Sequence, residues 1–135
     1  MQVGLLGIGY WGKILLSKLN KLNDVEVMWT CNSRDQWWTN VINLDWVFIA
    51  TPNSVHYEQV RYFIQQGINV FCEKPLCTDK PSVNCLFTVA KKNDANLFVD
   101  WTFTFNDAID TIKKMYDDKK LGSIRSVTMN RMNSG

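Results

Sequence analysis

Three glycines near the start of the chain have the spacing of a phosphate-binding turn. Gly7, Gly9 and Gly12 form the pattern Gly-x-Gly-x-x-Gly within GLLGIGYWGK, directly after an apolar stretch. The first glycine permits a tight turn, the second lets a pyrophosphate approach the backbone, and the third lets a helix pack closely on a strand. The N–H groups and positive dipole end of the following helix favour a diphosphate. We therefore predict a dinucleotide site, although such a turn can also join a strand to a helix for steric reasons alone.

A position about 20 residues after this turn bears on which dinucleotide would bind, because a carboxylate there usually holds the ribose 2′-hydroxyl. Here the position is Asn32, followed by Ser33 and Arg34. Without the carboxylate a 2′-phosphate is not repelled, and a guanidinium can pair with it through two hydrogen bonds. We therefore expect NADP(H) to be favoured over NAD(H). Alternatively, Arg34 lies in solvent near Asp35, and Asn32 hydrogen-bonds a free 2′-hydroxyl.

The elements that must position these residues follow an alternating pattern of short apolar runs and longer stretches with helical period. This pattern is typical of βαβ units that build a parallel sheet. Runs such as WVFIA are apolar throughout, as expected when helices cover both faces. The predicted fold class is α/β, a Rossmann-type, doubly wound parallel sheet with helices on both faces. The predicted strands are Val3–Gly7, Val25–Cys31, Trp46–Ala50, Asn69–Cys72 and Asn96–Val99.

Three apolar stripes predict amphipathic helices on this sheet. One follows the glycine turn, one starts after Asp79 and Pro81, and one starts at Asn106 and Asp107, whose residue types favour helix starts. The stripes are Leu15, Leu19 and Leu22; Val83, Leu86, Phe87 and Ala90; and Ala108, Ile112, Met115 and Tyr116.

The last helix is expected to end near Gly122, and the segment that follows predicts one more strand, Ile124–Met129. We assign residues 1–122 to the dinucleotide-binding domain. Residues 123–135 would be the start of a truncated C-terminal domain or a terminal strand. An unpaired strand favours edge-to-edge association, so we expect a homo-oligomer.

The composition narrows the class of protein further. With 135 residues and 46% hydrophobic content, one compact domain is expected. A net charge of +2 without a basic stripe suggests neither nucleic acid nor an anionic membrane as partner.

No apolar run approaches the roughly 18 residues of a membrane span, and the N-terminus lacks the basic start of a secretory signal, so we expect a cytoplasmic protein. The four cysteines form no CxxC pair and only one histidine is present, which predicts reduced thiols and no metal site.

Three stretches, GLLGIGYWGK, DWVFIATPNSVHYEQV and GINVFCEKPL, resemble in this order the Gfo/Idh/MocA family, named for glucose-fructose oxidoreductase and inositol dehydrogenase. The resemblance runs from Val3 to the strand expected after Gly122. It implies an N-terminal Rossmann domain, followed in full-length members by an α/β domain that takes part in catalysis. It also implies hydride transfer between NADP or NAD and a hydroxyl or ketone of a sugar, inositol or nucleotide-linked sugar.

The resemblance also implies roles for particular residues. Lys74 of the EKP motif would lie at the nicotinamide and the substrate, where it could stabilise alkoxide charge, and the peptide bond before Pro75 is commonly cis in this family. Glu73 and Lys74 could instead form a surface ion pair. His56 could merely pack or cap its helix, and Trp11 could be a core residue. The expected cofactor contacts are Gly7, Gly9, Tyr10, Trp11, Gly12, Asn32, Ser33, Arg34, Ala50, Thr51, Pro52, Asn53, His56, Glu73, Lys74 and Pro75.

The chain departs from the family pattern in three places. Only 13 residues separate Cys31 from Asp45, where members usually have a helix and a short strand, so the adenine side of the pocket should be abbreviated. Asp100 and the residues after it replace a glycine-histidine pair. The family histidine that moves the substrate proton lies in the C-terminal domain, so proton transfer would depend on Lys74 alone unless a second chain contributes.

Two other functional classes remain open at this point. The chain could be a non-catalytic nucleotide-binding or interaction module that lacks the substrate domain, as the shortened segment after Cys31 suggests. It could also have a purely structural role, with the terminal strand pairing across a subunit interface. In the oxidoreductase hypothesis, a sugar-like substrate would need a further domain or partner to bind.

Overall fold

The apolar runs form one parallel sheet in the computed structural model, which describes residues 1–39 and 43–130 of the chain. Its order is β2-β1-β3-β4-β5, and every neighbouring pair is parallel. The strands are β1 (Gln2–Leu6), β2 (Glu26–Cys31), β3 (Trp46–Ile49), β4 (Asn69–Glu73) and β5 (Leu97–Asp100). Each predicted strand of the sheet is confirmed to within one residue at either end.

The strand order places a switch in direction between β1 and β3. From β1 the chain moves to β2 on one side, and from β3 it moves through β4 to β5 on the other. Right-handed crossovers then place the helix after β1 on one face and the helices after β3 and β4 on the opposite face. The carboxyl ends of β2, β1 and β3 are aligned, since Gly7 N–H donates to Cys31 O at 2.7 Å and Ala50 N–H to Leu6 O at 2.8 Å. This edge is where nucleotides dock on open α/β sheets.

The described residues also form four α-helices, α1 (Tyr10–Leu19), α2 (His56–Ile64), α3 (Lys80–Lys92) and α4 (Asp107–Asp117). The predicted starts of α3 and α4 are confirmed. Asp79 accepts a hydrogen bond from Ser82 N–H at 2.8 Å, and Asn106 accepts from Ala108 N–H at 3.0 Å. The predicted stripe of the first helix is wrong at Leu22, which is exposed beyond the end of α1. Asn20, which competes for local hydrogen bonds, ends the helix before that position.

The core lies between the sheet and helices α2 and α3. Strand residues such as Val47 and Val70 are fully buried there, together with Phe63 and Ile64 of α2 and Leu86 of α3. Full burial of one large aliphatic side chain contributes about 1.5–3 kcal/mol. On the opposite face a row of stacked rings crosses three strands, with centroids 4.9 and 5.3 Å apart: Phe48, Phe71 and Phe98.

Strands β1 and β2 meet at an unusually close contact. Gly4 of β1 pairs in register with Trp29 of β2. The indole ring occupies the space where a Cβ at Gly4 would lie, and it stacks on Phe63 of α2 with centroids 6.4 Å apart. The absence of a side chain at Gly4 therefore makes room for the ring of Trp29.

The segment after β2 contains a short 3-10 helix, Trp37–Thr39, in its described part. Trp37 packs edge-on against Tyr62, with ring centroids 5.1 Å apart, and Tyr62 Oη donates a hydrogen bond to Trp38 O at 2.7 Å. These aromatic contacts tie the shortened segment to α2.

The backbone contacts divide the chain into two compact units, residues 1–100 and residues 101–135, which we call the sheet unit and the C-terminal unit. The described part of the C-terminal unit contains a 3-10 helix, Thr102–Phe105, and α4. The helix predicted after Asn106 is confirmed, but its apolar side chains, including Ile112 and Tyr116, are exposed.

The strand predicted at Ile124–Met129 is wrong. Residues 124–130 have no regular secondary structure, and Val127 and Met129 are exposed. An extended segment is stabilised as a strand by hydrogen bonds to a neighbouring strand, and no segment in the described part of the chain pairs with this one. Residues 131–135 of the predicted terminal segment lie outside the described residues. Among the helices that are described, none has the length and apolar character that membrane crossing requires.

Candidate functional site

The three glycines after β1 have distinct structural roles. Gly7 has φ of 98°, a left-handed conformation that favours glycine, and a Cβ there would lie 2.6 Å from the backbone of Ala50. A Cβ on Gly12 would collide with the carbonyl oxygen of Gly7. At Gly9, by contrast, a Cβ would meet nothing within 4 Å. Gly7 and Gly12 are therefore required by packing, whereas Gly9 leaves open space in front of the helix.

Helix α1 begins at Tyr10, with Gly9 as its N-cap and no side chain capping its first N–H groups. Tyr10 and Trp11 are both exposed and stack with ring centroids 6.4 Å apart. The alternative that Trp11 belongs to the core is therefore not observed. The open helix end and the space at Gly9 together form a cradle in which an anionic group can reach backbone donors.

The segment after β3 is tied down by the start of α2. Thr51 is buried, and its hydroxyl donates a 2.6 Å hydrogen bond to Gln59 Oε1. Pro52 and Asn53 follow and are exposed, at the edge of the sheet. Gln59 was not predicted as a site residue, although a glutamine among apolar α2 residues such as Val60 and Phe63 is a visible signal for a buried hydrogen bond.

His56 connects the ends of two strands. It is 1% exposed, with Nε2 2.8 Å from Thr51 O and Nδ1 2.9 Å from Pro75 O. Neutral or protonated, the ring donates at least one N–H···O hydrogen bond here. The sequence left open whether His56 packs or contacts the cofactor. This geometry favours packing, since the His56 ring connects the segments after β3 and β4.

The EKP motif forms a sharp corner at the end of β4. The Lys74–Pro75 peptide bond is cis, as the family resemblance implied. Lys74 is exposed, whereas Glu73 is 9% exposed and its Oε2 accepts a 3.3 Å hydrogen bond from Lys74 N–H. The alternative of a surface ion pair is not observed, because all ion pairs in the described residues lie in α4 or directly after it.

Burial and the neighbouring negative charge act together on Glu73. Burial is the largest cause that raises its pKa, and the charge of Asp100 is the second. The Lys74 N–H works in the opposite direction. Asp100 was noted in the sequence only as a departure from the family pattern, yet an acidic residue at the end of an apolar strand was a signal for this edge.

The loop after β2 turns back on itself. Asn32 N–H donates a 2.6 Å hydrogen bond to Asp35 Oδ2. Arg34 is exposed and forms no ion pair with Asp35 in the described part of the chain. The Arg34 guanidinium therefore keeps its donors available to an external anion.

The predicted site residues thus follow the carboxyl ends of four strands, and parallel pairing aligns those ends at one edge of the sheet. The turn after β1 touches Ala50 after β3, and His56 links Thr51 to Pro75. The group after β2, Asn32 to Arg34, is adjacent to this set because Gly7 N–H bonds to Cys31 O.

A five-stranded parallel sheet with a glycine turn at its switch point defines an open α/β nucleotide-binding fold of the Rossmann kind. The chain belongs to the Gfo/Idh/MocA family, because the family model described as "Oxidoreductase family, NAD-binding Rossmann fold" matches residues 20–101. The resemblance stated from the sequence motifs is therefore confirmed.

The sequences of individual relatives match part of this chain. The inositol 2-dehydrogenase of Rhizobium meliloti is 30% identical over 87 residues, which are 64% of this chain and 26% of that protein. The dTDP-3,4-didehydro-2,6-dideoxy-alpha-D-glucose 3-reductase of Actinomadura kijaniata is 31% identical over 84 residues, 62% of this chain and 25% of that protein. The chain thus matches about a quarter of the length of these relatives.

Solved structures share the fold over most of the chain. A 3-ketoreductase from Actinomadura kijaniata, in complex with TDP-benzene and NADP, superposes with a TM-score of 0.79 at 23% identity. The match covers 93% of this chain and 44% of that one.

Proposed function

We propose that this chain is the dinucleotide-binding part of an oxidoreductase that transfers hydride between NADP(H) or NAD(H) and a sugar, inositol or nucleotide-linked sugar. The observation that carries this proposal is the cradle at Gly9, open in front of α1 and at the same sheet edge as Lys74. Relatives named as inositol dehydrogenase and sugar 3-reductase support the substrate class. A further domain or partner chain would hold the substrate.

The residues present fit a dinucleotide. The diphosphate would lie against the N–H groups of Gly9, Tyr10 and Trp11, where no side chain fills the space. Thr51 to Asn53 and the Glu73–Pro75 corner would line the nicotinamide half. When bound, the nicotinamide supplies the acceptor or donor of the hydride.

Lys74 is the residue that we assign to the reacting oxygen. Lys74 is exposed and lies directly after β4, next to Pro75, whose carbonyl oxygen is hydrogen-bonded to His56. A donor held in place stabilises the negative charge that develops on the oxygen, and the ammonium proton can pass to it.

Asn32 and Arg34 would set the choice of dinucleotide. The exposed guanidinium of Arg34 is suited to a 2′-phosphate, and Asn32 brings no negative charge to repel it. We therefore propose a preference for NADP(H). NADP in the complex of the similar 3-ketoreductase is consistent with this preference.

Calorimetric titration of the full chain with NADPH and NADH tests the proposal. Gly9→Val is the sharpest variant, because its side chain enters empty space and its backbone, with φ of −69°, accepts any residue. We expect unchanged unfolding in urea but at least tenfold weaker NADPH binding. Ser17→Val, an exposed change on the same helix, serves as the matched control. Absence of binding by the wild-type chain to either dinucleotide would contradict the proposal.

Arg34→Ala addresses the dinucleotide preference separately. Loss of a charge-assisted contact weakens NADPH binding about tenfold and leaves NADH binding nearly unchanged. Equal losses for both dinucleotides would contradict the proposed role of Arg34.

A non-catalytic nucleotide-binding or interaction module is the second candidate function. The observation that favours it is the short 3-10 helix Trp37–Thr39 in the segment that usually holds a helix and a strand. This hypothesis predicts NADPH binding without turnover of inositols or sugars by the chain, alone or with a substrate-binding partner. Turnover that is lost in Lys74→Ala would exclude it.

A further inference from the structure

Two buried carboxyl groups face each other at the end of the sheet. Glu73 and Asp100 are the last residues of β4 and β5 and are direct partners in the strand register. Each is only 9% exposed. Side chains of directly opposed residues lie on the same face and in contact range, and two like charges there repel each other.

The hydrogen bonds of Glu73 are incomplete when it is ionised. Oε2 accepts from Lys74 N–H, but Oε1 is buried and finds no donor among the described residues. A buried acceptor without a donor is costly. When Glu73 carries a proton, its hydroxyl can donate to the Asp100 carboxylate, and this single proton also removes the repulsion.

We propose that Glu73 and Asp100 share one proton, and that this proton is released when an oxidised nicotinamide dinucleotide binds but is retained when the reduced form binds. The proposal rests on the proposed function, which places the nicotinamide beside Lys74. The shared proton itself depends only on the two carboxyl groups.

The charge of the nicotinamide gives the physical reason. The oxidised ring carries a positive charge and the reduced ring does not. A positive charge near the pair favours its fully ionised form, so the bound proton leaves to solvent and the pair gains one negative charge. By reciprocity, a rise in pH that ionises the pair strengthens binding of NADP⁺ relative to NADPH.

Three other titratable groups lie near Glu73, and none of them takes the place of Asp100 as the partner of its carboxyl group. The positive charge of Lys74 acts to lower the Glu73 pKa, but more weakly than the causes that raise it. Cys72 of the same strand directs its thiol to the backbone oxygen of Glu73 at 3.4 Å. His56, from α2, faces the carbonyl oxygens of Thr51 and Pro75.

The test measures binding of NADP⁺ and NADPH to the full chain by calorimetry, in buffers with different ionisation enthalpies and over a pH series. We expect net proton release with NADP⁺ and none with NADPH. The ratio of the two dissociation constants should change by up to tenfold per pH unit within the titration range of the pair. Asp100→Asn should move this pH dependence to lower pH, because the Asp100 charge no longer helps to raise the pKa of Glu73. Asp94→Asn, an exposed change with the same loss of charge, should leave the pH dependence intact.

The outcomes separate the two proposals. If both dinucleotides bind with a ratio that does not depend on pH, or if the dependence lies in the same pH range in Asp100→Asn, the linkage is wrong. If neither dinucleotide binds, the proposed function fails and the linkage fails with it. In that case the side-chain carboxyl resonance of Glu73, followed by ¹³C NMR against pH, still decides whether the proton is shared. A titration in the ordinary range of glutamate, unchanged in Asp100→Asn, would overturn it.

Discussion

Helices α2 and α4 have similar apolar periodicity but opposite surroundings. In α2, Phe63 and Ile64 are fully buried against the sheet. In α4, Ile112 is 56% exposed, and the other side of the helix carries two ion pairs between residues four apart, Lys113–Asp117 and Lys114–Asp110. Periodicity thus determines which side chains share a helix face, whereas burial depends on contacts from distant parts of the chain.

A matched pair of truncations gives the largest expected contrast. Ile64→Ala removes a fully buried side chain and should lower the free energy of unfolding by about 2–5 kcal/mol. Ile112→Ala removes the same atoms from an exposed position and should change it by no more than about 0.5 kcal/mol. Urea denaturation measures both. Equal losses would show that the apolar face of α4 is buried in solution and that α2 and α4 do not differ in burial.

His56→Ala should have the next largest effect. It removes a buried ring and its bonds to the backbone, so we expect a loss of about 2–3 kcal/mol in the free energy of unfolding. Tyr57→Phe, at the next position of α2, removes only a long contact to Cys85 Sγ and serves as the control. A neutral result for His56→Ala would mean that the ends of β3 and β4 do not depend on this connection.

The pH dependence of stability tests the interaction between Glu73 and Asp100 at the ends of β4 and β5. The pKa of Glu73 is raised in the folded chain by burial and by Asp100. A carboxyl group of this kind stabilises the fold most below the ordinary range of glutamate, and the contribution is lost as the pH rises through the raised value. We therefore expect the free energy of unfolding to fall over this interval, and to fall less in Asp100→Asn. Identical profiles for the two chains would contradict the coupling.

The smallest effect is expected in α4. Lys113→Ala breaks an exposed ion pair with Asp117, and such pairs add little to stability at physiological salt. The urea midpoint should match that of the wild type within error. A clear loss would indicate that this part of α4 is more ordered and less hydrated than its exposure indicates.

The strands of the sheet could be predicted from the sequence because they are short apolar runs bounded by turn residues. The roles of Gly7 and Gly12 also followed from spacing, since both are needed wherever a strand, a turn and a helix meet closely. The predicted strand at Ile124–Met129 failed because a local pattern says nothing about whether a pairing partner is present. The prediction failed at Leu22 because α1 ends at Leu19, with Asn20 as its C-cap, before the apolar stripe is complete.

The candidate site was predicted residue by residue but not as a set of contacts. Motifs placed Thr51, His56 and Pro75 at one edge, yet only the structure shows that His56 joins the other two. The pairing of Glu73 with Asp100 depends on strand register, which one sequence does not determine. The hydrogen bond of Gln59 was also not predictable from the local sequence, because its partner, Thr51, lies eight residues away.

The close contact between Gly4 and Trp29 has a consequence for how this domain can vary. The indole ring uses the volume that any side chain at position 4 would need, so the two positions share a single space. Enlarging residue 4 requires a smaller residue at position 29, and shrinking Trp29 alone leaves a cavity beneath Phe63. The two substitutions should therefore be tolerated only as a pair, with a combined cost well below the sum of the separate ones.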